Sequence, residues 1–134
     1  VTTLAFYCGR GNWRDALIRQ VTASIYSHVE LVHPNGQCIS ASKRDDNQVR
    51  QKRIDFKMGH WTFICVPVCH AKSWAVSEQY LGAPYDTLGA VMSGLGAYRH
   101  RKAAWFCSEL IAHSLGLSEP HTYHPGALFA QLTK

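Results

Sequence analysis

The tripeptide Pro34-Asn35-Gly36 stands between two strand-like runs, Tyr26 to His33 and Gln37 to Ala41. Proline presets the φ of a turn and Asn-Gly tolerates left-handed backbone, so the two runs are expected to fold back on each other as an antiparallel hairpin. A lone hairpin is barely stable in water and needs further strands or a helix against its apolar face. The chain offers both. Leu4 to Cys8 reads as a short buried strand that ends at the loop Gly9-Arg10-Gly11-Asn12. Gln48 to Asp55 reads as a short edge strand. Trp61 to Val68, apolar and β-branched with Pro67 near its end, predicts a central strand.

Apolar residues at 13, 16, 17 and 21 follow a helical period and predict a helix over Trp13 to Val21. Ala71 to Leu81 reads as a second helix, stopped by Gly82-Ala83-Pro84. Asp86 is placed to cap a helix running through Met92, and Ser93 to His100 is a Gly-rich, then basic loop. Ala104 to Leu115 predicts a helix that stops at Gly116, and Gly126 to Leu132 a last short one. The order is strand, helix, a run of antiparallel strands, then helices. That is an α+β pattern, a small antiparallel sheet with helices packed on it. The length of 134 residues suits one domain, 1–134, with no repeats and no linker long enough to mark a boundary.

Apolar residues make up 46% of the chain, which argues against disorder. No run approaches the roughly 18 apolar residues of a membrane span, so no transmembrane segment is expected. Val1 to Tyr7 lacks a basic leader, so no signal peptide is expected and synthesis in the cytoplasm is, with action at the cell wall left open. The formal net charge is +5, with basic clusters at Lys43-Arg44, Arg50 to Arg53 and Arg99 to Lys102. These are either solvated loops or an attraction for a polyanion such as nucleic acid, a wall polymer or an anionic membrane surface. Aromatics do not interleave with the charges, so nucleic acid is not an expected partner.

The five cysteines, Cys8, Cys38, Cys65, Cys69 and Cys107, are odd in number and irregularly spaced, unlike a disulfide framework. Cys65-x-x-x-Cys69-His70 lacks a second ligand pair at zinc-site spacing, so neither a metal nor another cofactor is expected.

The segment Trp105-Phe106-Cys107-Ser108-Glu109-Leu110-Ile111 carries the chemistry. It places Cys107 where an amphipathic helix begins. The first turn of a helix presents unpaired N–H groups and a partial positive charge, which favour a thiolate, the nucleophilic form of cysteine. Upstream, Ser27-His28-Val29-Glu30-Leu31-Val32 sets a histidine in a strand. A thiol nucleophile needs a base, and the base needs a group that orients it. Cys107 and His28 are the candidate pair. Glu30 shares a strand face with His28 and either tunes the imidazole or is a surface residue. Gln37 and Ser40 on the partner strand are the other candidates for a third polar group.

Four segments together resemble the circularly permuted NlpC-type, papain-like cysteine hydrolases, whose relatives include lecithin-retinol-acyltransferase-like enzymes. Tyr26-Ser27-His28-Val29-Glu30-Leu31-Val32 resembles their histidine strand, Leu81-Gly82-Ala83-Pro84-Tyr85-Asp86 the Gly-x-x-Tyr-Asp segment before the nucleophile, Phe106-Cys107-Ser108-Glu109-Leu110 the Cys-Ser-Glu nucleophile motif, and His124-Pro125-Gly126-Ala127-Leu128 the closing Pro-x-x-Leu segment. The match spans nearly the whole chain, in order, with the histidine ahead of the cysteine as permutation requires.

The resemblance implies a permuted papain-like fold and cleavage of an amide or ester bond through an acyl-enzyme on Cys107, with His28 as base. Bacterial murein peptides are the leading substrate, in bacteria or their phages. Acyl transfer or hydrolysis on lipid-like substrates is the enzymatic alternative, disfavoured because no apolar surface is evident. A catalytically weak binding domain is the other alternative. The permuted group often carries an acidic or other polar orienting residue on the strand after the histidine, commonly followed by alanine. Ser40 occupies that position here, and a neutral hydroxyl stabilises an imidazolium less than a carboxylate does. Tyr85 and Tyr26 are the residues expected to touch substrate. Asp86 is expected as a helix cap rather than a catalyst.

Overall fold

The computed structural model describes residues 1–86 and 104–134. The expected helix from Asp86 through Met92, the Gly-rich loop and the basic cluster at Arg99 to Lys102 lie outside the described residues, apart from Asp86 itself. The described elements are β1 (Thr2–Tyr7), α1 (Trp13–Thr22), β2 (His28–Val32), β3 (Gln37–Ser42), β4 (Gln48–Arg53), β5 (Trp61–Val66), α2 (His70–Glu78), α3 (Cys107–Ser114) and α4 (Pro125–Leu132), with a short 3-10 turn at Pro120–Thr122. The strands form one five-stranded sheet in the order β4-β3-β2-β1-β5, and every neighbouring pair is antiparallel. The fold is therefore α+β. No helix among the described residues is long and apolar enough to cross a membrane.

The hairpin forms where the turn residues require it. Gly36 donates its N–H to the His33 carbonyl at 2.9 Å, and its φ of +90° is a conformation that side chains resist. Beyond the turn, Leu31 pairs with Ile39 and Val32 with Cys38.

Side-chain alternation gives the sheet two different faces. Leu4, Phe6, Val29, Leu31, Ile39, Ala41 and Val49 point to one face, and each is at most 1% exposed. Ile111, Ala112 and Leu128 from α3 and α4 pack with Leu4, Phe6, Val29 and Leu31, while Trp105 and Leu110 pack with Ile39, Ala41 and Val49. Full burial of such a side chain is worth about 1.5–3 kcal/mol relative to exposure, so this layer holds the helices to the sheet. The opposite face carries Trp61, Tyr7 and His28 in one cross-strand row and Phe63, Ala5 and Glu30 in the next, and on β3 and β4 it carries the pair Ser40 and Arg50.

One expectation is corrected. Trp61–Val66 lies at the sheet edge beside β1, not at the centre. Its apolar character serves an aromatic cluster, Phe56 packing edge-on against Trp61 and Phe63, rather than burial on both faces. On α1 the apolar residues stay out of the core. Trp13 is 67% and Leu17 39% exposed, while the buried residue of the helix is Asp15.

Candidate active site

α3 begins at Cys107, three residues later than the apolar period suggests, with Phe106 as its N-cap in extended conformation. The Glu109 carboxyl, at the third helical position, accepts the backbone N–H of Phe106, one half of a capping box. Burial, against that hydrogen bond, pushes the Glu109 carboxyl up to about 8, so it stays protonated near neutral pH. The Cys-Ser-Glu motif thus starts a helix with the thiol at its first residue. Cys107 is 2% exposed and packs among Phe6, Val29 and Ile111.

Cys107 lies within hydrogen-bonding reach of the His28 ring, which stands at the first position of β2. On the ring's other side Nε2 meets the Glu30 carboxylate Oε2. With Nε2 committed to Glu30, Nδ1 is the nitrogen left to face the thiol. Burial alone lowers the pKa of His28, but the charge of Glu30, then that of Cys107 and hydrogen bonds to both, carry it up to about 9. Glu30 is fully buried, and burial raises its pKa. The charge of His28 and the hydrogen bonds and charge of Arg50 overcome this and hold it down to about 2.

Glu30, rather than Ser40, is therefore the group on the imidazole. The Ser40 hydroxyl donates to the Val29 carbonyl at 2.7 Å, so its proton is directed at the backbone. Sequence spacing put Glu30 on the face of His28 but left it level with a surface residue, because burial depends on what covers that face.

Tyr85 lines the same cleft as His28 and Glu30, and burial, then the neighbouring Cys107, pushes its phenol well above the ordinary range. Its N–H donates to Asn47 at 2.7 Å, and Asp86 donates its N–H to Trp105 at 2.8 Å, so this segment is pinned to both the β3–β4 loop and the start of α3. Asp86 is buried. Tyr26 is corrected. Its ring lies against Phe6 and Phe129, its hydroxyl donates to Thr62 at 3.2 Å, and it is 8% exposed on the helix-bearing face. It is a core aromatic and lines no part of the cleft.

Beside His28 a cleft of about 380 Å³ opens on the polar face of the sheet. Its walls combine Trp13, Leu17 and Ile18 of α1 with Trp61 and Ile54, so an apolar surface is present next to the site after all. Two of the basic clusters seen in the sequence line its rim. Arg44 pairs with Asp15, and Arg50 and Lys52 pair with Asp45. Arg14, Lys43 and Arg53 also line it and have no carboxylate partner among the described residues. α1 is fastened over the cleft through Asp15, which accepts from the Asn12 N–H, the Ser27 hydroxyl at 2.9 Å and Arg44.

The other thiols differ from Cys107. Cys38 is buried, and burial, then the charge of Glu30, pushes it up to about 12, where it stays protonated. Cys65 and Cys69 are exposed and, like all five cysteines, unpaired. Among the described residues no group of three or more His, Cys, Asp or Glu side chains is placed to hold a metal ion.

No family model matches the sequence. No curated protein matches it either. Among solved structures, the crystal structure of the metalloprotein yiiX from Escherichia coli O157:H7 is similar, with a TM-score of 0.61 over 90% of this chain and 76% of that chain, at 18% sequence identity. At that identity the likeness concerns the fold alone.

Proposed function

We propose that this protein is a cysteine hydrolase of the permuted papain-like type that cleaves an acyl bond, amide or ester, through a thioester on Cys107. One observation carries the reading. The thiol at the first residue of α3 lies beside a histidine whose Nε2 is held by a buried carboxylate.

In the proposed reaction His28 Nδ1 takes the Cys107 proton, and Glu30 stabilises the imidazolium that results. The thiolate adds to the substrate carbonyl carbon. The Cys107 backbone N–H, in the first turn of the helix, donates to the developing oxyanion. The bond from carbon to the leaving nitrogen or oxygen then breaks as the imidazolium proton passes to that atom, and a thioester remains. Water adds to the thioester with His28 again as base. The carbon–sulfur bond breaks, releasing a carboxylic acid and restoring the thiol.

The basic rim suits an anionic wall polymer, which supports murein peptides as substrate. The apolar wall of Trp13, Leu17, Ile18 and Trp61, its first two residues exposed, supports the second reading, a lipid-like acyl substrate with a negatively charged portion. Purified protein assayed on murein by zymography and on medium-chain acyl esters and thioesters, each beside Cys107→Ala, separates the two. Loss of ester or murein cleavage in Cys107→Ala is the expected result. Cleavage that persists in that variant contradicts the proposal.

A further inference from the structure

Glu30, Ser40 and Arg50 lie on the neighbouring strands β2, β3 and β4 and belong to the same face by side-chain alternation. Beyond the pairs Val32–Cys38 and Leu31–Ile39, Glu30 is the next residue on β2 and Ser40 the next on β3, and Ser40 pairs directly with Arg50. Neighbouring strands are about 4.8 Å apart, so the backbones of Glu30 and Arg50 are separated by about two such spacings. Their side chains can meet only by reaching over the residue between them. That residue is a serine whose hydroxyl is turned away to the Val29 carbonyl.

Over this gap Arg50 makes a two-pronged contact with Glu30, Nη1 to Oε1 at 2.7 Å and Nη2 to Oε2 at 2.5 Å. Its Nε donates to Asp45 Oδ2 at 2.8 Å, and Lys52 donates to the same carboxylate at 3.0 Å. The guanidinium is thus fixed on both edges, and its side chain is 9% exposed. A planar fork of this kind dictates where both oxygens of a carboxylate lie, which a single ammonium does not.

We propose that Arg50 is a positioning residue for the His28–Cys107 pair, holding Glu30 ionised and turned so that Oε2 meets His28 Nε2, and that Ser40 supplies the gap through which Arg50 reaches. The inference rests on the cysteine-hydrolase reading for its purpose, but its geometry does not depend on that reading. It gives a role to the serine at the position where the resembled enzymes often carry an acidic or other polar orienting residue. Here the acid stands one strand earlier, on the histidine's own strand, and the vacated position admits its cationic partner. The groups that face Glu30 are His28 on its own strand, Cys38 on β3, Arg50 on β4 with Asp45 and Lys52 behind it, and Cys107 on α3 beyond the imidazole.

The test follows the His28 ring by NMR titration in the intact protein, for wild type, Arg50→Lys and Ser40→Leu. Arg50→Lys keeps the charge and removes the fork. Ser40→Leu keeps every charge and fills the gap. The expected result is that both variants lower the titration point of His28 by about one unit or more, a tenfold change in proton affinity. The rate of Cys107 alkylation by iodoacetamide should fall with it near neutral pH. A His28 titration and alkylation profile that superimpose on wild type in both variants would overturn the proposal, leaving Arg50 a purely structural residue. If one variant does not fold, the other decides. A wild-type Cys107 no more reactive than a free thiol, with the His28 titration still displaced in the variants, sinks the hydrolase reading and leaves the positioning role standing.

Discussion

Glu30 holds the Nε2 of His28 from two positions further along the same strand, and it does so while fully buried. Burial of an ion is tolerable only where partners replace water, and here His28 on one side and Arg50 on the other do so. Removing the carboxylate therefore has two consequences at once. Glu30→Gln leaves the buried Arg50 with Asp45 alone as counter-charge, which should cost about 1–3 kcal/mol of stability. It also deprives the imidazolium of its stabilising charge, and the hydrolysis rate should fall by about a hundredfold or more, in the range of general acid–base effects. Denaturant melts and initial rates on the same preparation check both. A variant as stable and as active as wild type contradicts this account of Glu30.

The same ion cluster sets a pH window for stability. Glu30 is lowered from its ordinary 4.5 to about 2, so its contribution is fully present above about 4.5 and is lost as pH falls through about 2. His28 is raised from 6.5 to about 9, so its contribution is fully present below about 6.5 and is lost as pH rises through about 9. Glu109 is raised from 4.5 to about 8, which weakens the fold as pH climbs between those values. Stability should be greatest near pH 5 and should decline steadily toward pH 9. Melting temperatures across that range provide the measurement, and a maximum above pH 8 would be the wrong result.

Tyr26 and the cleft residues should separate cleanly. Tyr26→Phe removes one hydrogen bond, to Thr62, and should cost about 1 kcal/mol with no change in rate. Tyr26→Ala opens a hole between Phe6 and Phe129 and should cost about 3–5 kcal/mol. A selective rise in KM for Tyr26→Phe, at unchanged stability, would return this residue to the substrate site.

Trp13 offers the opposite case. It is 67% exposed on α1 and borders the cleft. Trp13→Ala should leave stability within about 0.5 kcal/mol, as for most surface changes. It should raise KM for long acyl chains more than for short ones. An equal effect on both chain lengths would remove the apolar wall from substrate recognition.

Much of the fold was legible in the chain because its strong signals are local. Pro34-Asn35-Gly36 announces the hairpin, and the helical periods place α1, α2, α3 and α4 within a few residues of their observed ends. Strand order was not legible. Trp61 to Val66 is apolar enough for a central strand, and only the pairing with β1 alone shows that it is an edge. The candidate pair of Cys107 and His28 could be named from its flanking residues. Its orienting group could not be settled, because Glu30 and Ser40 are both within one strand of the imidazole. The choice depends on Arg50, which is distant in sequence and becomes a neighbour only through the β3–β4 register. Tyr26 was misplaced for a related reason. It precedes the histidine in the chain, yet its ring turns to the helix-bearing face, where Phe129 of α4 packs against it.

The central claim, that Cys107 is a thiol activated by His28 and Glu30, is tested most directly by the pH dependence of its alkylation. Iodoacetamide incorporation at Cys107, followed by peptide mass spectrometry, should be faster than at the buried Cys38 and should exceed a free thiol's rate below pH 8. In His28→Ala that enhancement should disappear, and in Cys107→Ala the fast-reacting site should be gone with the fold intact. A Cys107 that reacts at a free thiol's rate, with a pH profile unchanged by His28→Ala, contradicts the account.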